Sequence, residues 1–138
     1  DYHGHENSLS FICCEPIASF QARGNEVEMR FPDGRTQKEV ASEKGKVTSL
    51  LEGFRQSFDV PARETKYVNC GLFGYIAYDA VQFFEDVAIG SRDTRIPEIL
   101  YKLYRYVIVV DHFSNELSLF EHTLSEAFAG FEIFSAAE

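Results

Sequence analysis

Tryptophan is absent from this chain, methionine occurs once, and only three cysteines are present. Two of the cysteines, Cys13 and Cys14, are adjacent, which makes a poor disulfide framework and points to a reduced, cytoplasmic setting. In an apolar strand such thiols behave as small hydrophobes rather than redox groups. Basic side chains are scarce: 13 Lys and Arg against 22 Asp and Glu leave a formal charge of −9. A nucleic-acid backbone or an anionic membrane surface requires a basic face, so neither is expected as a partner. No apolar run approaches the ~20 residues of a membrane span, and no signal peptide or lipidation motif is visible. A phosphate loop is also missing, because Gly71 and Gly74 lack the spacing and the following Lys that it requires. No Cys pairing or His-Glu-x-x-His spacing supports a metal site, and His3, His5 and Glu6 read as a mobile end. Asp111-His112 could join a nucleophile elsewhere in a triad, but at a hairpin end both are ordinary turn residues. No catalytic set is therefore expected within residues 1–138.

Apolar and aromatic content is ample. With 138 residues, 45% of them hydrophobic, and with 13 Phe and 7 Tyr, the chain can bury one core as a single domain. It starts at Asp1 without a Met and ends at Glu138 inside an expected helix, so both ends read as cut from something longer. Residues 71–79 are the stretch around which the rest is expected to be organised: apolar on both faces from Leu72 to Tyr78, hence a central buried strand. Gly71 and Gly74 within it indicate a bulge or a close backbone approach. Asp79 is placed to cap a short helix through Phe84, with Gln82 as capping-box partner.

Leu9–Cys14 reads as a buried strand interrupted by Pro16. Ile17–Ala22 and Val27–Phe31 form a hairpin about Arg23-Gly24-Asn25; Val27, Met29 and Phe31 alternate with Glu26, Glu28 and Arg30. Thr36–Val40 adds an edge strand, and Lys46–Phe58 is an amphipathic helix with Val47, Leu50, Leu51, Phe54 and Phe58 on one face. Two polar, irregular stretches, Asp59–Asn69 and Asp86–Glu98, flank the central motif. Leu100–Asp111 pairs with Glu116–His122, and Thr123 with Glu126 caps a final helix bearing Leu124, Phe128, Phe131 and Phe134. The expected class is α+β: antiparallel hairpins with about three helices packed to one side.

Three stretches, Ser10-Phe11-Ile12 followed by Pro16-Ile17, then Gly71 to Asp79, then Val109-Val110-Asp111-His112, resemble the amino-terminal region of anthranilate synthase component I. The likeness runs from about Ser8 to His122, and Gly74-Tyr75 with Tyr78-Asp79 is its most specific part. Para-aminobenzoate synthase component I shares much of the signature, and a free-standing small-ligand-binding domain is the reading from another class. The resemblance implies a layered α/β sandwich completed by a chorismate-binding part after Glu138. It also implies a parent enzyme that makes anthranilate and pyruvate from chorismate, using Mg²⁺ and ammonia from a glutamine amidotransferase partner. The chorismate and Mg²⁺ residues are then expected outside residues 1–138, which alone are inactive, with the fragment's uncovered apolar surface prone to self-association.

A tryptophan feedback site is implied as well. Its Leu-Leu-Glu-Ser motif is expected before Asp1; Leu50-Leu51-Glu52-Gly53 only echoes it and takes no role. Leu9 and Ser10 match a second contact strand, where the family often has a basic residue just before the Ser. Leu9 cannot make the charge-assisted bond to a carboxylate that Lys or Arg would make.

Overall fold

The computed structural model describes residues 8–60, 70–90, 95–127 and 130–137, from 126 onward through the backbone alone. In chain order the elements are β1 (Leu9–Arg23), β2 (Glu26–Arg30), β3 (Thr36–Val40), α1 (Lys46–Gln56) and β4 (Phe58–Asp59). They continue with β5 (Phe73–Ile76), a 3-10 helix (Tyr78–Phe83), β6 (Ile99–Asp111), β7 (Glu116–Ala127) and β8 (Gly130–Ala137). The chain divides into two compact units. One comprises Asp1–Pro16, Phe58–Gly71 and Tyr104–Glu138, the other Ile17–Ser57 and Leu72–Leu103, so β1 and β6 each contribute to both.

The unit that carries α1 has the strand order β3-β2-β1-β6, with β5 also paired to β6. Its hairpin forms as expected: Arg23 opposes Glu26, leaving Gly24-Asn25 as a two-residue connection. Gly24 adopts φ 53° there, a left-handed conformation that costs glycine little. Alternation along β1 and β2 sends Ala18, Phe20, Ala22, Val27 and Met29 into the core. Helix α1 covers that core with Val47 and Phe54; the Phe54 ring lies 5.9 Å from Phe20 and 5.4 Å from Phe31. Burying each such ring contributes roughly 1.5–3 kcal/mol. The helix ends at Gln56 rather than Phe58, where Ser57 turns its N–H and hydroxyl back onto the Gly53 carbonyl. Phe58 belongs instead to β4.

In the other unit, the second half of β6 pairs with β7, β7 with β8, and β8 with β4, the last pair being parallel. Among its described residues, Val107, Val109, Asp111, Phe120 and His122 are the buried side chains. Val107 opposes Phe120 and Val109 opposes Ser118, which fixes one buried face across β6 and β7. β1 breaks its regularity at Glu15, φ 57°, just before Pro16, where the sequence shows an interruption. The preceding Leu9–Cys14 segment is less buried than expected, with Phe11, Ile12 and Cys14 exposed.

The observed class is mostly antiparallel sheet, with one α-helix and one 3-10 helix among the described residues, fewer than the three helices expected. The final helix is the error: Thr123 and Glu126 lie on β7, and Phe131 and Phe134 lie on β8. Two periods compete in that stretch. Phe120, His122 and Leu124 alternate with Glu121, Thr123 and Ser125, and pairing with β8 through Ser125–Glu132 and Glu126–Phe131 favours the extended form over the helical spacing. Phe128, the second residue of that expected stripe, lies outside the described residues, as do His3, His5, Glu6 and positions 61–69 and 91–94.

The organising stretch is also corrected. β5 is a short strand of four residues that pairs with β6, and its Gly74, Tyr75 and Ile76 are exposed rather than central. An apolar run on both faces states that a strand can be covered, not that it is. Ala77, not Asp79, occupies the N-cap of the following helix, with no side-chain cap; Asp79 stands in its first turn.

Candidate functional site

Leu9 and Ser10 open β1, and the end of β6 lies beside them. The His112 backbone N–H donates to the Ser8 carbonyl at 2.9 Å, which ties the two chain segments together. On that tie, the Ser10 hydroxyl and His112 Nε2 stand 2.7 Å apart, 102 residues distant in sequence. Leu9 is half-buried and Ser10 exposed. The structure therefore gives His112 a hydroxyl partner, one ingredient of the triad considered from sequence. Asp111, only 6% exposed, spends Oδ1 on the backbone N–H groups of Phe113 and Ser114, at 2.9 and 3.1 Å. That is the turn role expected of Asp at a hairpin end. Asn115, φ 56°, completes the reversal into β7.

The signature residues have separate local reasons. Gly74 sits opposite Tyr101, and a Cβ built there would fall on the Leu100 carbonyl oxygen and lie 2.8 Å from the Tyr101 Cα. Only glycine allows that approach of two backbones. Gly71 has open space where its Cβ would stand. Tyr75 is partly exposed and Tyr78 is 87% exposed. Beneath them, the Ala77 N–H donates to the Glu98 carbonyl at 2.7 Å and holds the strand-to-helix transition. Leu9, Ser10 and Gly71 belong to the unit that holds β7 and β8; Gly74, Tyr75, Tyr78 and Asp79 belong to the unit that holds α1.

Sequence reasoning passed over His122. Only 1% of it is exposed, and its Nδ1 lies 2.8 Å from the Tyr104 carbonyl oxygen. A carbonyl only accepts, so Nδ1 carries the proton, and Nε2 is left without a partner in the interior. Its place in the Phe120–Leu124 alternation was the available signal. Among the other polar groups, Glu28 is held below the usual carboxylate range by Arg30 at 2.8 Å, with Lys38 at 3.2 Å adding to it. Burial pushes the Cys70 thiol up to about 11. All three cysteines are free. Among the described residues, no group of three or more His, Cys, Asp or Glu side chains could hold a metal ion. No described helix is long and apolar enough to cross a membrane.

No family model matches the chain. In fold, 79% of it aligns with 23% of the crystal structure of a synthase component, at a TM-score of 0.58 and 14% identity. That structure is anthranilate synthase component I from Streptococcus pneumoniae TIGR4. In sequence, 116 residues are 27% identical to anthranilate synthase component 1 2 of Haloarcula marismortui, covering 80% of this chain and 22% of that protein. Similarity in sequence to one such component and in fold to another bears out the resemblance carried by the motifs. The chain spans less than a quarter of the length of either.

Proposed function

We propose that this chain is the amino-terminal region of an anthranilate synthase component I, where it scaffolds the enzyme and contributes to a tryptophan feedback site. The observation that carries this reading is the 27% identity over 116 residues to a named component 1, joined to the same fold in a second one. The parent enzyme converts chorismate and ammonia to anthranilate and pyruvate in the cytoplasm, with ammonia delivered by a glutamine amidotransferase subunit. Mg²⁺ in that parent is held by residues outside this region. The chain's own contribution is architectural, through the α1-covered core and the Gly74 approach, and regulatory, through Leu9 and Ser10. Alone it turns over no chorismate.

Exposed Tyr75, Ile76 and Tyr78 lie on and beside β5, and an exposed apolar strand tends to find a partner. The isolated chain therefore self-associates, and a sedimentation coefficient independent of concentration would contradict this. The functional reading is tested on the full-length parent. Anthranilate formation from chorismate, Mg²⁺ and ammonium, inhibited by L-tryptophan, is the expected result. Formation of the para-aminobenzoate precursor instead, or no reaction with chorismate, would overturn it.

A further inference from the structure

We propose that His112 is a positioning residue for a carboxylate-bearing amino-acid effector, acting through the Ser10 hydroxyl; this rests on the effector site proposed above. The His112 Nε2 and Ser10 Oγ atoms are 2.7 Å apart at the surface, on segments tied by the His112 N–H to Ser8 carbonyl bond. A serine hydroxyl has one proton. If Nε2 accepts that proton's bond, the oxygen shows only lone pairs outward, which repel a carboxylate. If Nε2–H donates to Oγ, the serine proton is free to point outward and bind a carboxylate oxygen. An anionic ligand thus selects the ring state with a proton on Nε2, and His112 sets Ser10 as a donor.

The surroundings give this relay its importance. The chain carries a formal charge of −9, so an anion needs a local donor to be held. Leu9 supplies no charge beside Ser10, and Arg105, a cation of the same unit, is engaged by Glu15 at 3.2 Å. Neighbouring Asp111 would oppose an anion, but it is buried and its Oδ1 accepts two backbone N–H bonds.

The chain lacks tryptophan, so indole fluorescence reports an added ligand without background. Titration with L-tryptophan and with tryptamine, which lacks the carboxylate, separates the carboxylate contact from ring binding. His112→Leu is expected to weaken L-tryptophan about tenfold, the scale of one hydrogen bond to a charged group, and to leave tryptamine unchanged. His112→Gln, whose amide N–H can still donate to Oγ, should stay within about threefold of the parent chain. Ser10→Ala should cost as much as His112→Leu, and the double variant no more than either single one. Matched thermal melts of the variants show that folding is intact. Binding of L-tryptophan that is indifferent to His112→Leu, or equal losses for both ligands, would overturn the role of His112 and leave the effector site standing. Inhibition of the full-length parent by L-tryptophan is the separate readout of the effector site, and its absence would overturn that site and this inference together.

Discussion

A side chain at position 74 would have to displace backbone, because the Leu100 carbonyl and the Tyr101 Cα occupy its place. Strand β5 then either parts from β6 or shifts register. Gly74→Val is expected to lower stability by about 1–3 kcal/mol, the usual range for overpacking. Gly71→Ala, with nothing within 4 Å of its Cβ, should stay within about 0.5 kcal/mol. Denaturant melts of the two variants check the pair, and equal midpoints would contradict the close approach. Cys70 supplies a pH test. Its folded thiol is raised from 9.0 to about 11 by burial, so the folded state prefers the neutral form. The stability it contributes is fully present below pH 9.0 and is lost as pH rises through about 11. Chain stability should therefore fall less steeply over that window in Cys70→Ala than in the parent, measured by chemical denaturation. Identical slopes would show that the thiol is not shielded.

At the scale of elements, α1 is the clearest case of pattern becoming structure. Val47 and Phe54 are buried while Glu52 and Arg55 meet each other on the solvent face, at 2.6 Å. Phe54 touches both Phe20 and Phe31, so it joins the helix to two strands at once. Phe54→Ala should cost about 3–5 kcal/mol, read as a loss of melting midpoint, whereas a value under about 1 kcal/mol would mean the helix is not seated on that core. This hairpin and helix were legible in the sequence because each has one period and one wet face. β5 was not, since an apolar run does not say whether anything covers it. The stretch from Thr123 to Phe134 was not either, because it satisfies a helical and an extended period together, and the choice is made by strand pairing from outside the segment. At the proposed effector site, Leu9 and Ser10 were legible only through resemblance. The partnership of Ser10 with His112 was hidden, because it joins residues 102 apart and follows from β1–β6 pairing.

At the scale of the molecule, the chain forms two compact units, each with its own buried side chains. The core of β1, β2 and α1 is rich in aromatic rings, and the buried face of β6 and β7 contains two polar groups, Asp111 and His122. The chain's surface keeps apolar side chains near β5, and it covers 22% and 23% of the proteins it is similar to. The proposed function assigns the chemistry to the remainder of a larger enzyme. Reconstitution tests that claim most directly. The chain is assayed for anthranilate with chorismate, Mg²⁺ and ammonium, alone and then joined to the chorismate-binding remainder of its parent. The account predicts no product from residues 1–138 alone, anthranilate from the joined protein, and weakened tryptophan inhibition when Ser10→Ala is introduced. Anthranilate from the chain alone, or inhibition by tryptophan that is indifferent to Ser10, would contradict it.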